Sequence, residues 1–77
     1  MDIAAKLKEI VAESLMVDIS AVTDDALFVE DLGADSIAVA DIIMSMEDEF
    51  DLVIEESDLE NLRTVRDAIA FVEARLG

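Results

Sequence analysis

Apolar residues recur with helical spacing in the first part of the chain. Counted from Ile3, they follow the spacing i, i+4, i+7, i+8 and i+12: Ile3, Leu7, Ile10, Val11 and Leu15. This spacing is typical of a helix with one buried face. Asp2 precedes the series and is a suitable N-cap, because its carboxylate can accept a hydrogen bond from a free backbone N–H group. The pattern therefore predicts a first helix over residues 3–15.

A second periodic segment covers residues 36–50 and has two distinct sides. At about 100° per residue, one narrow stripe is wholly apolar and predicts core positions: Val39, Ile42, Ile43, Met46 and Phe50. The opposite stripe mixes two acids with two apolar residues: Ile37, Asp41, Met44 and Asp48. Isolated exposed apolar residues are common. An apolar pair among acids also fits a contact surface, and both interpretations remain open.

The last third of the chain predicts a short helix followed by a longer one. Leu52–Ile54 reads as a buried connector, because a lone strand would have no pairing partner. Ser57 and Glu60 have capping-box spacing and predict a short helix over residues 57–62. Thr64 and Asp67 form a second such box. It opens a helix over 65–76 whose apolar face is Val65, Ala68, Ile69, Val72 and Leu76.

Residues 16–35 have no sustained period, and they separate the first two long helices. A short helical turn near Ser20–Val22 is expected. Scattered apolar residues should hold this loop on the core: Ile19, Val22, Leu27, Phe28 and Leu32. The predicted fold class is all-α. It is a small four-helix bundle with three main helices, one short helix and a long loop after helix one, in a single domain of residues 1–77.

The charge is strongly negative and unevenly placed. Twenty acids stand against five bases, which gives a net charge of −15. Seventeen of the acids and none of the bases fall between residues 9 and 62. This distribution argues against a nucleic-acid partner and favours basic protein surfaces, although acids also serve solubility alone. With no apolar run of membrane-spanning length and no signal-peptide pattern, we expect a cytoplasmic protein that does not insert into membranes.

Several kinds of catalytic and metal site are absent from the sequence. The chain has no histidine and no cysteine, so it lacks the commonest general base, the thiol nucleophile and the usual zinc ligands. No segment has the spacing of a calcium-binding loop. We therefore expect no catalytic residues and no specific metal site, with divalent cations bound only loosely by the acids. The chain should not be an enzyme.

Ser36 is the one candidate for special chemistry. Gly33 permits a tight turn, Asp35 can cap the second helix, and Ser36 then falls in the first helical turn. Without a histidine, Ser36 cannot belong to an ordinary catalytic triad. A phosphate ester on its hydroxyl would, however, lie at the positive end of the helix dipole. The alternative is that Asp35 and Ser36 only start a helix.

The segment Asp31-Leu32-Gly33-Ala34-Asp35-Ser36-Ile37 resembles the D-x-G-x-D-S-L signature of acyl carrier proteins. The resemblance extends over nearly the whole chain. It includes "FVEDLGADS" before and through the serine, "EDEF" at 47–50 and "TVRDAIAFV" at 64–72. It implies an antiparallel four-helix bundle. It also implies that Ser36 receives 4′-phosphopantetheine from coenzyme A, installed by a magnesium-dependent phosphopantetheinyl transferase, and that Gly33 and Asp35 help to present the site.

The same resemblance assigns the second helix to partner recognition. Its exposed residues would dock on basic patches of enzymes that build and transfer acyl chains in fatty-acid or related lipid biosynthesis, and the carrier would be a monomer. The implied partner-binding residues are Ile37, Asp41, Met44, Glu47 and Asp48. The pantetheine arm would carry acyl groups as thioesters and would supply the thiol that a chain without cysteine lacks.

Four positions depart from the family pattern. Ile37 replaces the usual leucine, Ala38 an acid, Ala40 a bulky apolar residue and Glu55 a proline. Losing an acid at position 38 should weaken contact with basic partners without abolishing it. Ala40 either enlarges an acyl cavity or is compensated by a neighbour. These departures suggest a carrier for a dedicated pathway. A carrier of an amino acid or polyketide unit, and an unmodified acidic adaptor, are the alternatives.

Overall fold

A computed structural model describes residues 2–76 of the chain. It contains four α-helices and one 3₁₀ turn: α1 (Ile3–Leu15), the turn Ile19–Ala21, α2 (Ser36–Phe50), α3 (Glu56–Leu59) and α4 (Val65–Leu76). In the described part of the chain, the only β pairing is an isolated bridge between Leu27 and Thr64. The all-α, four-helix prediction is confirmed, and so are the bounds of α1, α2 and α4.

The core lies among the three long helices. Its buried residues include Leu7 and Val11 of α1, Met46 of α2, and Val65 and Val72 of α4, each no more than 1% exposed. Ile42 and Phe50 of α2 are also buried, as the apolar stripe predicted. Val39 and Ile43 from the same stripe are only half-buried, because they line the apolar openings beside α2 described below.

The N-terminal caps of α1 and α4 follow the sequence pattern. An Asp2 carboxylate oxygen accepts a hydrogen bond from the Ala5 N–H group at 3.1 Å. In the predicted second box, the Asp67 N–H group donates to the Thr64 hydroxyl at 3.0 Å. The Thr64 N–H group donates to an Asp67 carboxylate oxygen at 3.1 Å. These bonds satisfy N–H groups that a helix start leaves without an internal partner.

The predicted start of α3 is wrong. The helix covers Glu56–Leu59, not 57–62, and its capping box is formed by Glu55 and Asp58 instead of Ser57 and Glu60. The Glu55 N–H group donates to an Asp58 carboxylate oxygen at 3.0 Å. The pairs Glu55–Asp58 and Ser57–Glu60 have the same spacing, so spacing alone does not distinguish them.

The connector before α3 is not a strand, as expected, but it is only partly buried. Leu52 and Ile54 are half-buried, whereas Val53 is 67% exposed. In an extended segment, successive side chains point to opposite sides. Only alternate residues of the connector can therefore face the core.

The long loop between α1 and α2 is held against the corner that joins α3 to α4. The Phe28 N–H group donates to the Arg63 carbonyl at 3.0 Å, and the Val65 N–H group donates to the Ala26 carbonyl at 3.0 Å. Val22 and Phe28 are buried, as predicted. Ile19 is 48% exposed, so its predicted role in holding the loop is wrong. The loop is therefore held by backbone hydrogen bonds to the corner in addition to its buried apolar side chains.

Candidate functional site

Ser36 is exposed and is the first residue of α2. Asp35 is the N-cap, with extended backbone angles of φ −92° and ψ −178°. Its carboxylate accepts a hydrogen bond from the Ala38 N–H group at 2.8 Å. The predicted cap is confirmed. The Ser36 hydroxyl therefore stands in the first turn of a capped helix, where the partial positive charge of the helix dipole is greatest.

A compact turn before α2 sets the position of Ser36. Its first part is closed by Asp31, whose carboxylate accepts a hydrogen bond from the Leu27 N–H group at 2.9 Å. Its end is closed by Ala34, whose N–H group donates to the Phe28 carbonyl at 2.9 Å. Ala34 is 3% exposed and fixes the turn on the core.

Gly33 is needed in this turn because of its backbone conformation. Its φ is +72°, in the left-handed region that favours glycine. A Cβ atom built at this position would meet no atom within 4 Å, so space is not the constraint. The turn geometry therefore explains why a glycine precedes Ser36 by three positions.

Most of the positive charge in residues 2–76 is used in internal ion pairs. Four of the five basic side chains pair with carboxylates: Lys6 with Glu49 at 3.1 Å, Lys8 with Asp24 at 2.7 Å, Arg66 with Asp25 at 2.9 Å and Arg75 with Asp58 at 3.4 Å. The hydrogen bond to Glu49 raises the pKa of Lys6, and the hydrogen bond from Lys8 lowers the pKa of Asp24. None of these pairs involves an acid of α2 near Ser36.

One side of α2 combines apolar and acidic exposure. Ile37 is 81% exposed and Met44 is 60% exposed. Asp41 and Asp48 are exposed on the same side. We call these four residues, Ile37, Asp41, Met44 and Asp48, the α2 face. Its composition suits a partner that offers an apolar contact ringed by basic groups.

Glu47 differs from the rest of the predicted partner-binding residues. It is half-buried, and its carboxylate accepts a hydrogen bond from the Ile54 N–H group at 2.9 Å. This bond ties the connector to α2. The observed contact of Glu47 is therefore a structural one.

An apolar groove opens directly beside Ser36, between α2, α3 and the turn before α2. Its volume is about 730 Å³. We call it the Ser36 groove, and it is lined by Val29, Ala34, Asp35, Ser36, Val39, Ala40, Ile43, Met44 and Leu59. A smaller apolar cavity of about 30 Å³ adjoins it, and the two share Val39, Ile43 and Leu59 as lining residues.

Ala40 lines the Ser36 groove but not the smaller cavity. A bulky side chain at position 40 would therefore narrow the surface groove. Val29 and Leu59 complete this groove from the loop and from α3. The periodicity of α2 could not reveal them, because they come from other segments. Only the structure identifies them, as apolar side chains that remain 57% and 37% exposed at the edge of the groove.

Residues 2–76 contain neither a membrane-spanning helix nor a cluster of metal ligands. No helix there is both long enough and apolar enough to cross a membrane. Within the same residues, no three or more His, Cys, Asp or Glu side chains come together as a metal site.

Comparison with known proteins assigns the chain to a family. Residues 5–72 match the family model described as a phosphopantetheine attachment site. The acyl carrier protein of Solidesulfovibrio magneticus is 46% identical over 77 residues, which is 100% of this chain and 99% of that protein. The acyl carrier protein of Thermotoga maritima is 42% identical over 76 residues, covering 99% of this chain and 94% of the relative. The chain therefore belongs to the acyl carrier protein family, whose members carry acyl groups on a covalently attached 4′-phosphopantetheine.

Proposed function

We propose that Ser36 is the residue that receives 4′-phosphopantetheine. The observation that carries this proposal is the exposed Ser36 hydroxyl, held at the start of α2 by the Asp35 cap at 2.8 Å from Ala38. A phosphate ester at this position would interact favourably with the N-terminal end of α2. The Ser36 groove, at about 730 Å³, offers an apolar surface next to the attachment point.

The residues around Ser36 fit such an arm. When bound, the arm supplies a terminal thiol for thioester chemistry. The chain supplies a hydroxyl that is open to the transferase, and the groove walls Val39, Ile43 and Leu59 give apolar surface for a hydrocarbon cargo. Asp35 holds the first turn of α2 in shape and places negative charge beside Ser36 for a metal ion bound by the transferase.

A loading experiment with purified phosphopantetheinyl transferase, coenzyme A and magnesium tests the attachment site. The unmodified chain should gain one phosphopantetheinyl group, measured as intact mass. Ser36→Ala should gain none. Ser45→Ala is the matched control, because Ser45 lies on the same helix but lines a different cleft, and it should load at the rate of the parent chain. Loading of Ser36→Ala would overturn the proposal.

We further propose that the α2 face is the docking surface for partner enzymes. Ile37 and Met44 would enter an apolar patch, while Asp41 and Asp48 meet surrounding basic groups. Exposed ion pairs contribute about 0.2–1 kcal/mol each. The alanine at position 38 therefore lowers affinity for a basic partner by a modest amount. Glu47 stands at the edge of this surface and contributes through the connector that it holds.

Two exposed methionines allow a matched test of the docking surface. Met44→Ala should lower kcat/KM for acyl transfer by a ketosynthase several-fold, because it removes an apolar anchor. Met16→Ala is the control, since Met16 is 91% exposed at the end of α1, and it should leave the rate unchanged. Equal rates for both variants and the parent chain would contradict a docking role for Met44.

The pathway is proposed to be a dedicated lipid or related acyl pathway, with the chain acting as a monomeric cytoplasmic carrier and not as a catalyst. Ala38 and Ala40 support this proposal. Compared with the family pattern, Ala38 removes a negative charge next to the attachment point, and Ala40 leaves the Ser36 groove wider than a bulky side chain would. A carrier of an amino acid or polyketide unit is the second candidate. Turnover by ketosynthases of fatty-acid synthesis at the rate of a housekeeping carrier would refute the dedicated role.

A further inference from the structure

The short helix α3 forms one side of the Ser36 groove, although it buries no side chain of its own. It has four residues, Glu56–Leu59, and none of these four is buried. Leu59 nevertheless lines both the Ser36 groove and the smaller cavity that adjoins it. The position of α3 therefore sets the width of both openings. Because four residues without a buried side chain form no stable helix alone, contacts from elsewhere must hold α3 in place.

Arg75, in the last turn of α4, makes such contacts. One guanidinium nitrogen, Nη1, donates to the Val53 carbonyl at 3.0 Å. The other, Nη2, lies 3.4 Å from an Asp58 carboxylate oxygen. The guanidinium also stacks over the Phe71 ring, with 4.5 Å between Cζ and the ring centroid. Arg75 thus joins α4 to both the connector and α3, while Phe71 orients its guanidinium.

The contact with Asp58 acts on the capping box that starts α3. The Asp58 oxygen that faces Arg75 is the same Oδ2 that accepts the Glu55 N–H group at 3.0 Å. Arg75 therefore helps to hold the Asp58 side chain where it caps the helix. A planar guanidinium can bond the Val53 carbonyl and Asp58 together while it stacks on a ring, whereas a lysine ammonium is a single point charge.

We propose that Arg75 is a positioning residue for cargo: it fixes α3 against α4 and thereby keeps Leu59 in place as a wall over an acyl chain. The part of this proposal that concerns cargo rests on the attachment of the arm at Ser36. The part that concerns α3 does not. The two parts are therefore tested separately, first on the unmodified chain and then on the loaded carrier.

Amide hydrogen exchange on the unmodified chain tests the hold on α3. The informative amides are those of Asn61 and Leu62, which donate to the Asp58 and Leu59 carbonyls at 3.0 and 3.1 Å. In Arg75→Gln these amides should exchange about fivefold faster, as expected for losing partly exposed charge-assisted hydrogen bonds. The amide of Val72, a buried residue in α4, should keep its rate.

Two variants separate positioning from general destabilisation. Arg66→Gln removes the exposed Arg66–Asp25 pair of 2.9 Å from the same helix, and it should leave the α3 amides unchanged. Arg75→Lys should fall between the parent chain and Arg75→Gln. Equal exchange in Arg75→Gln and the parent chain, or an equal rise at α3 and Val72, would overturn the proposal.

The loaded carrier tests the consequence for cargo. Hexadecanoyl and acetyl thioesters are cleaved with hydroxylamine on the parent chain and on Arg75→Gln. The long chain should be cleaved several-fold faster on the variant, because its wall is loosened, while the acetyl thioester should react at an unchanged rate. Equal rates for the long chain on both proteins would refute the cargo role. A chain that cannot be loaded at Ser36 would instead refute the attachment site, and the exchange result on α3 would still stand.

Discussion

Replacing Met16 with glycine should stabilise the protein. Met16 is the C-cap of α1 and has a φ of 56° and a ψ of 44°, in the left-handed region. This conformation costs a residue with a Cβ atom about 1–2 kcal/mol, whereas glycine adopts it without that cost. Met16 is 91% exposed, so its side chain contributes little burial that the substitution would lose. The backbone bond from the Val17 N–H group to the Ala12 carbonyl, at 3.1 Å, can remain.

The net gain from Met16→Gly is smaller than the relieved strain. Glycine also makes the unfolded chain more flexible, and this effect offsets about 0.4–1 kcal/mol of the stabilisation from relieved strain. The expected gain in the free energy of unfolding is therefore about 0.5–1 kcal/mol. For a domain of this size, a change of 1 kcal/mol moves Tm by about 4–8 °C. Urea denaturation should show a higher midpoint with an unchanged slope.

Gly33→Ala is the inverse control for the same physical effect. Gly33 has a φ of +72° and an open space around a built Cβ atom, so the only new cost is conformational. This variant should lose about 1 kcal/mol. A Met16→Gly variant with an unchanged or lower urea midpoint, measured beside a destabilised Gly33→Ala, would refute the argument from left-handed strain at the end of α1.

Three further outcomes follow from the caps and the charges. Asp35→Ala should lower the free energy of unfolding by about 1 kcal/mol, because the Ala38 N–H group loses its acceptor. Asp35→Asn keeps an acceptor oxygen and should lose much less stability than Asp35→Ala. Equal losses for the two variants in urea denaturation would contradict the capping role of Asp35. Because 20 acids face five bases, sodium or magnesium chloride should raise Tm, and a Tm that does not respond to salt would count against self-repulsion. Lys8 lowers the pKa of Asp24, so this carboxylate stabilises the fold above its ordinary pKa and stops doing so as pH falls through the lowered value. The urea midpoints of Asp24→Asn and the parent chain should therefore differ most at neutral pH and converge in acid; a constant difference would refute this linkage.

The long helices could be predicted from the sequence because their apolar faces extend over several turns. In α2, the stripe from Ile42 to Phe50 defines both the period and the buried side. Ser36 and its Asp35 cap could also be predicted, because a cap and the helix that it starts are adjacent in sequence. Local pattern was sufficient wherever a residue's partners lie within one turn of it.

The remaining features depend on contacts between distant segments. α3 has only four residues, and two capping pairs of equal spacing compete to start it, so periodicity could not decide between them. The Ser36 groove needs Val29 from the loop and Leu59 from α3. The contacts of Arg75 join residues 17 and 22 positions apart. Such contacts arise only from packing, which a pattern along the chain does not encode.

The most direct test of the carrier assignment is the mass of the protein as it exists in its own cell. The intact chain should carry one 4′-phosphopantetheine, with or without an acyl group as a thioester. Fragmentation of the intact ion should place the added mass on Ser36. A population that is wholly unmodified during growth, or one modified at another residue, would contradict the account.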